Sequence, residues 1–447
     1  MSASPESQEQ QVTQWVEGLL GGKIVECERQ ARWRPAWYLV VERGAERLPL
    51  YFRGDRGLQS GGQYQLEHEY SILKILGESG IPVPKLHGFC ETPRGILMER
   101  VPGRADLSTA VDAAERDSVQ DDYMRILAEI HALDIGPFQA AGLTQPSSST
   151  EMGLADFPIW QRGYARSQAR PDALLAYVTR WLHENVPASE ASPSFVCSDS
   201  GQFLFDQGRV TAVIDLELAH LGDPAADLAG LRTRDLSEPL GDLKRATRRY
   251  AEITGRPIDH RLVDYHTVRF SIVTPLAIAP IIARPPPGTD IIQYLCWYWV
   301  YARAALEVIA HMRGIDLSWP DEIEACPNRY SPAYDVLTDS LNPTGAEEGF
   351  DAYRLQTASR LAEYVRRVDR YGPAIDSADQ EEASAFLGSR GQDWLQTEQQ
   401  LEAMVTEASA GNEEDWIRFF HRRTCRQDRL LSPVMRELQN TRIQMLD

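Results

Sequence analysis

Aspartates lie in the loops and at the strand ends of one stretch, and their positions limit which folds this chain can adopt. The stretch runs from residue 195 to 228 and reads FVCSDSGQFLFDQGRVTAVIDLELAHLGDPAADL. Asp199 lies in a loop rich in Ser and Gly, and Asp215 ends an apolar run. Between them, β-forming segments at 203–205 and 210–214 flank an Asp-Gln-Gly turn, which is typical of a β-hairpin. Because a hairpin returns the chain to its starting end, we expect the carboxylates of Asp199 and Asp215 to lie close together.

The residue types at that end of the hairpin favour a divalent-cation site. Gln202, three residues after Asp199, adds an amide carbonyl oxygen to the two carboxylates. Hard oxygen ligands of this kind are the ones that Mg²⁺ prefers. The alternative interpretation is a Ser/Gly turn with a capping aspartate, which leaves Asp215 at the end of an apolar strand without an explanation.

The motifs around this hairpin resemble those of the aminoglycoside phosphotransferase-like kinases, distant relatives of the protein kinases. That family shows His-Gly-Asp, an Asn five residues after the Asp, a strand ending in Ile-Asp-Trp-Glu, then Gly-Asp-Pro and Asp-Leu-Ala. Gln202 stands here for the Asn. The other corresponding segments are Cys197-Ser198-Asp199, Ile214-Asp215-Leu216-Glu217, Gly222-Asp223-Pro224 and Asp227-Leu228-Ala229.

The resemblance spans residues 20–310 and implies an α+β, two-lobed protein-kinase-like fold with a small β-rich N-terminal lobe and a helical C-terminal lobe. The order of patterns along the chain agrees, because β-forming segments and one helix precede Gly103 and helical periodicity follows it. Apolar periodicity beyond Phe350 predicts extra C-terminal helices. We therefore expect a nucleotide-binding lobe at 1–103, a catalytic and substrate lobe at 104–345, and a helical appendage at 346–447.

The resemblance also implies that ATP and Mg²⁺ bind between the lobes. Arg53, at the end of a strand, then contacts the nucleotide phosphates, and Glu69 on the following helix holds its guanidinium. Asp199 is the candidate general base for the acceptor hydroxyl. Gln202 and Asp215 are the candidate ligands of Mg²⁺. The alternative for Arg53 and Glu69 is an unrelated surface cation and a solvated carboxylate.

A connector between the lobes is expected at residues 96–101. By resemblance, backbone groups of Met98, Glu99 and Val101 contact the edge of the adenine. The alternative interpretation is a strand followed by a Pro-Gly turn.

The loop between the first two strands, residues 29–37, contains no glycine that would allow a phosphate to approach the backbone. Arg29, Arg32 and Arg34 could provide positive charge there through their side chains. Equally, these arginines could pack against the neighbouring tryptophans.

Other residues near the hairpin are interpreted as structural. Asp223 is expected to form a turn, and Asp227 to accept hydrogen bonds from amides of the Asp199 loop. His131 fits a buried structural histidine. Glu217 is a secondary candidate for the surroundings of the metal.

Charge, apolar stretches and cysteine spacing limit the ligands and the compartment that we expect for this chain. The net charge of −19 argues against nucleic acid as a ligand. Neither apolar stretch, 271–282 or 296–310, reaches the roughly 20 uninterrupted residues of a membrane span. The widely spaced cysteines indicate reduced thiols in a cytoplasmic protein.

The sequence therefore predicts an ATP-dependent kinase that phosphorylates a small hydroxylated substrate. The alternative is a non-catalytic nucleotide-binding or scaffold protein that keeps the same fold. Cys197 in place of His, Gln202 in place of Asn, a loop two residues shorter and the missing glycines favour that alternative. The retained pair of Asp199 and Asp215 favours the enzyme.

Overall fold

A computed structural model describes residues 5–31, 34–55, 64–341, 350–407 and 413–447. The strands are β1 (Lys23–Arg29), β2 (Ala36–Arg43), β3 (Glu46–Gly54), β4 (Leu86–Glu91), β5 (Arg94–Glu99), β6 (Ser194–Val196), β7 (Phe203–Asp206), β8 (Arg209–Val213) and β9 (His220–Gly222). The first helices are α1 (Pro5–Leu20), α2 (Leu66–Glu78), α3 (Ala113–His131), α4 (Gly136–Ala140), α5 (Ser149–Leu154), α6 (Phe157–Ser167), α7 (Ala173–Glu184) and α8 (Ala225–Arg234). The remaining helices are α9 (Leu243–Thr254), α10 (His260–Ala283), α11 (Ile291–Arg313), α12 (Ser331–Leu341), α13 (Phe350–Leu387), α14 (Trp394–Glu407) and α15 (Glu413–Leu431).

The N-terminal lobe is built on a five-stranded antiparallel sheet in the order β1-β2-β3-β5-β4. Trp37, Leu39 and Val41 alternate along β2 and are buried, as a period of two requires for one covered sheet face. The predicted β-rich lobe is confirmed. The segment of residues 82–89, which the sequence pattern marks as β-forming, becomes a strand only from Leu86, because the prolines at 82 and 84 have no backbone N–H to donate to a ladder.

The predicted hairpin is confirmed as β7 and β8, paired antiparallel from Phe203↔Val213 to Asp206↔Arg209. Sequence analysis did not predict β9, which pairs with β6 just before the loop of Asp199. The hairpin also contacts the N-terminal lobe, since the Val213 amide donates to the Pro82 carbonyl at 2.7 Å.

The described helices of the tail share a hydrophobic core with the C-terminal lobe. Trp416, Phe419 and Phe420 of α15 are fully buried in the same cluster as residues of α7, α10 and α11. Glu398 of α14 accepts from the Ala173 amide at the start of α7 at 2.8 Å. Helices are therefore present where they were predicted beyond Phe350, whereas the three-part division of the chain stays a prediction.

Helix α10 is the one described helix that is long and apolar enough to cross a membrane. Within the described protein, 72% of its most apolar window is buried. It also passes between α8 and α11, which it contacts extensively. This burial is that of a core helix in a globular protein.

The Asp199 loop lies so close to α8 that only glycine fits at residue 230. A Cβ built on Gly230 would lie 1.9 Å from the Ser198 carbonyl oxygen. We expect Gly230→Ala to destabilise the protein by about 1–3 kcal/mol, because backbone must move to relieve the overlap. Urea unfolding measures this change.

Gly18 in α1 provides the matched control. Nothing lies within 4 Å of a Cβ built there. Gly18→Ala should leave stability unchanged or raise it by up to about 1 kcal/mol through helix propensity. Equal effects of the two substitutions would contradict the close approach of loop and helix.

Candidate active site

Arg53, near the end of β3, joins the two lobes through its guanidinium. Its Nε donates to Glu69 Oε2 at 2.8 Å, which confirms the expected ion pair with α2. Its Nη2 contacts Asp215 at the end of the hairpin and lies 3.3 Å from Glu217 Oε2. The Arg53 and Glu69 residues are 5% and 1% exposed, so water screens their attraction little.

Burial and charge oppose each other in this ion cluster. Burial alone would lower the pKa of Arg53, but Asp215, Glu69 and Glu217 raise it well above the usual value. Burial raises the pKa of Glu69, and Arg53 opposes that rise. The Arg53 guanidinium therefore stays charged, and it is the main positive charge that offsets the burial of the Glu69 carboxylate.

Arg34 contributes the second guanidinium of the cluster. It is 1% exposed, and its Nη2 lies 2.6 Å from Glu217 Oε2. Three arginines of this loop were expected either to provide positive charge for a phosphate or to pack against tryptophans. Arg34 contacts a carboxylate. Arg29 lies over Trp37, with its Cζ 5.4 Å from the ring centre. Arg32 lies outside the described residues.

The loop of Asp199 is fixed by α8. Asp227 accepts from the Cys197 amide at 2.9 Å and the Ser198 amide at 2.7 Å, which confirms the predicted role of this aspartate. The side chain of His131 is 5% exposed and its Nε2 lies 2.9 Å from the same carboxylate, as expected of a structural histidine. Ser198 has a φ of 68°, a conformation that non-glycine residues adopt rarely and only where surrounding contacts hold them.

The turn expected at Asp223 is also present. Its Oδ1 accepts from the Ala225 amide at 2.9 Å, at the entry to α8.

Asp199 is held from two sides. Arg234 at the end of α8 contacts both carboxylate oxygens, with Nε 3.1 Å from Oδ1 and Nη2 against Oδ2. Gln202 Nε2 donates to Oδ2 at 2.8 Å. Burial raises the pKa of Asp199 to about 6, even though Arg234 opposes the rise. Sequence analysis did not identify Arg234.

Asp215 lies where the chain leaves β8 in a left-handed conformation, with a φ of 58°. Aspartate tolerates this conformation better than most residues. The Ile214 amide donates to the Gln202 carbonyl at 3.0 Å, which fixes the two ends of the hairpin together. The charge of Asp215 contributes to the raised pKa of Asp199, so the two carboxylates are within electrostatic reach, as the hairpin predicts.

The oxygen donors at this end of the hairpin fit Mg²⁺ rather than a transition metal. Across the described ranges, no group of three or more His, Cys, Asp or Glu side chains could hold a metal ion by itself. Gln202 donates through Nε2 to Asp199, so this hydrogen bond does not use its side-chain carbonyl oxygen. Mg²⁺ is commonly held by one or two carboxylates, with substrate phosphates and water completing the octahedron.

The connector between the lobes is anchored to the same hairpin. Met98 is buried at the end of β5, and Glu99 is the last residue of that strand. Beyond Val101, the Arg104 amide donates to the Phe205 carbonyl at 2.9 Å, and the reciprocal bond has the same length. This double contact fixes the connector relative to Asp215. Contact of Met98, Glu99 and Val101 with adenine stays a prediction.

The comparisons with known proteins support the fold and the motifs. A family model described as "Phosphotransferase enzyme family" matches residues 41–262, a range that includes Arg53, Glu69, Asp199 and Asp215. The matched range, just under half of the chain, is therefore similar in sequence to the phosphotransferase enzyme family. The predicted resemblance is thereby confirmed.

A solved structure shares the fold of this phosphotransferase segment. The chain from Ralstonia eutropha JMP134 assigned as an aminoglycoside phosphotransferase superposes with a TM-score of 0.52 at 20% identity. The match covers 69% of this chain and 98% of that one. The two-lobed protein-kinase-like architecture is therefore confirmed.

The curated relatives carry a different name. Acyl-CoA dehydrogenase family member 11 from Rattus norvegicus is 30% identical over 183 residues, which cover 38% of this chain and 23% of that protein. Acyl-CoA dehydrogenase family member 10 from Mus musculus is 25% identical over 210 residues, covering 44% and 19%. The chain thus spans less than a quarter of the length of these relatives.

Proposed function

We propose that this protein is an ATP- and Mg²⁺-dependent phosphotransferase that acts on the hydroxyl group of a small metabolite. One observation carries the proposal: the Arg53 guanidinium joins Glu69 of the N-terminal lobe to Asp215 of the hairpin. A cation and two carboxylates in this order constitute the nucleotide-positioning part of a kinase-like site.

The carboxylates of the cluster support a divalent cation at this site. Asp215 and Glu217 lie where the chain leaves β8, and both contact the Arg53 guanidinium. Carboxylate oxygens are ligands that Mg²⁺ prefers, and one or two of them commonly hold it together with substrate phosphates and water.

The residues of the cleft then have separate tasks. Arg53 donates to phosphate oxygens while Glu69 keeps its planar fork oriented. Asp215 and Gln202 hold the metal, and Asp199 accepts a hydrogen bond from the acceptor hydroxyl and takes its proton as the new P–O bond forms. When bound, ATP would supply the phosphoryl group, and Mg²⁺ would supply positive charge that stabilises this group during transfer.

The names of the relatives guide the choice of acceptor. Because the matched segment occurs within proteins named as acyl-CoA dehydrogenase family members, we propose hydroxyacyl thioesters as the first acceptor class to test. An aminoglycoside and choline complete a panel of chemically distinct alcohols.

Transfer of labelled γ-phosphate from ATP to each member of this panel tests the proposal. We expect one class to be phosphorylated and the transfer to require Mg²⁺. Nucleotide binding without transfer to any member would instead support the non-catalytic interpretation. Neither binding nor transfer would contradict the proposed function altogether.

A further inference from the structure

Arg234, the last residue of α8, forms an ion pair with the carboxylate of Asp199. Its Nε lies 3.1 Å from Oδ1, its Nη2 contacts Oδ2, and both side chains are 16% exposed. A planar guanidinium that contacts both oxygens fixes the orientation of a carboxylate as well as its charge.

Helix α8 holds the Asp199 loop at three successive turns. Asp227, Gly230 and Arg234 are spaced i, i+3 and i+7, so they share one face of the helix. Asp227 accepts from the amides of Cys197 and Ser198. The backbone of Gly230 lies against the Ser198 carbonyl. Arg234 completes this face by holding the side chain of the loop.

We propose that Arg234 is a positioning residue for phosphoryl transfer: it orients the carboxylate of Asp199 toward the acceptor hydroxyl. This inference rests on the proposed function, and it adds a residue that the family motifs around the hairpin do not include.

The hydrogen bonds of Asp199 show how the orientation works. An ionised carboxylate offers about four lone-pair sites. Arg234 takes two of them, one on each oxygen, and Gln202 takes the second site of Oδ2. The remaining site is on Oδ1, which is therefore the atom that receives the hydroxyl proton. The acceptor oxygen forms its bond to the γ-phosphorus as the bond from that phosphorus to the ADP oxygen breaks.

Two further groups face the Arg234 guanidinium. Glu238 Oε1 lies 3.4 Å from Nη1, and Tyr301 of α11 is also close. The side chain of Glu238 is 41% exposed, so its removal provides a control for contacts of Arg234 that do not involve Asp199.

The kcat of the Arg234→Gln and Arg234→Lys variants tests the inference. Misorientation of Asp199 affects the chemical step, so Arg234→Gln should lower kcat by up to about 10²-fold. The KM for ATP and the Mg·ATP-induced shift in Tm should stay near the wild-type values. Arg234→Lys keeps the charge but lacks the planar fork, so it should restore kcat only in part.

Glu238→Gln is the matched control, because it removes the other carboxylate that Arg234 contacts. This change should leave kcat near the wild-type value. If Arg234→Gln does not fold, the lysine variant keeps the inference testable. A double-mutant cycle of unfolding free energies with Arg234→Lys and Asp199→Asn then measures the coupling between these two side chains.

Different outcomes would contradict the role of Arg234 and the proposed function. An unchanged kcat in Arg234→Gln, or a loss of kcat in both Arg234 variants that is accompanied by loss of the Mg·ATP-induced shift in Tm, would overturn the inference. A wild type that transfers phosphate to no member of the panel would overturn the proposed function, and the inference with it.

Discussion

Asp199→Asn is expected to abolish phosphoryl transfer while Mg·ATP still stabilises the protein against heat. The amide keeps the shape of the carboxylate but cannot take a proton from the acceptor. Loss of a general base typically lowers the rate by about 10²–10⁴. Asp199 contacts Arg234 and Gln202 rather than Arg53, so the residues expected to bind the nucleotide keep their contacts. Single-turnover transfer and the nucleotide-induced shift in Tm measure the two effects.

The thermal shift decides how Asp199 acts. A residue that serves only the chemical step affects kcat and leaves nucleotide affinity unchanged. If Asp199→Asn lost the Mg·ATP shift together with turnover, Asp199 would be a metal ligand and the assignment of a base would be wrong.

Arg53→Ala should have the largest effect on both stability and nucleotide binding. It leaves Glu69, which is 1% exposed, without its counter-charge, and breaking a buried pair in this way costs about 3–5 kcal/mol. The same change removes the cation that we expect to contact the phosphates. We therefore predict a lower Tm and no further stabilisation by Mg·ATP.

Arg47 on the same strand is the matched control. Its side chain is 56% exposed and pairs with Glu26 and Glu42 at the surface. Arg47→Ala should change the free energy of unfolding by less than about 1 kcal/mol and keep the response to nucleotide. If Arg53→Ala behaved like Arg47→Ala, the cluster around Arg53 would not be the nucleotide site.

The features that could be predicted from the sequence depend on short-range patterns. The hairpin of β7 and β8 follows from alternation and a Gln-Gly turn, and the five-stranded sheet from β-forming segments separated by short turns. The pair of Arg53 and Glu69 was predicted from the family resemblance. The strand and the helix that carry these residues are consecutive elements of the chain.

The contacts that were missed join residues far apart in the sequence. Arg234 is 35 residues from Asp199, and Arg34 is 183 residues from Glu217. Nothing in the local pattern distinguishes these arginines from the many at the surface, since only the fold shows that their partners are buried. The spacing of Asp227, Gly230 and Arg234 on one helical face was visible in the sequence and could have linked α8 to the loop. Strand β9 has three residues and no alternation long enough to detect.

Calorimetric titration of ATP, with and without Mg²⁺, into the wild type and Asp215→Asn tests the central claim most directly. The claim is that the end of the hairpin and Arg53 together form a Mg·ATP site. We predict that Mg²⁺ tightens ATP binding by the wild type and that Asp215→Asn loses this dependence, because its amide is a weaker metal ligand than a carboxylate. ATP binding that is equally tight with and without Mg²⁺ in both proteins, or absent from the wild type, would contradict the claim.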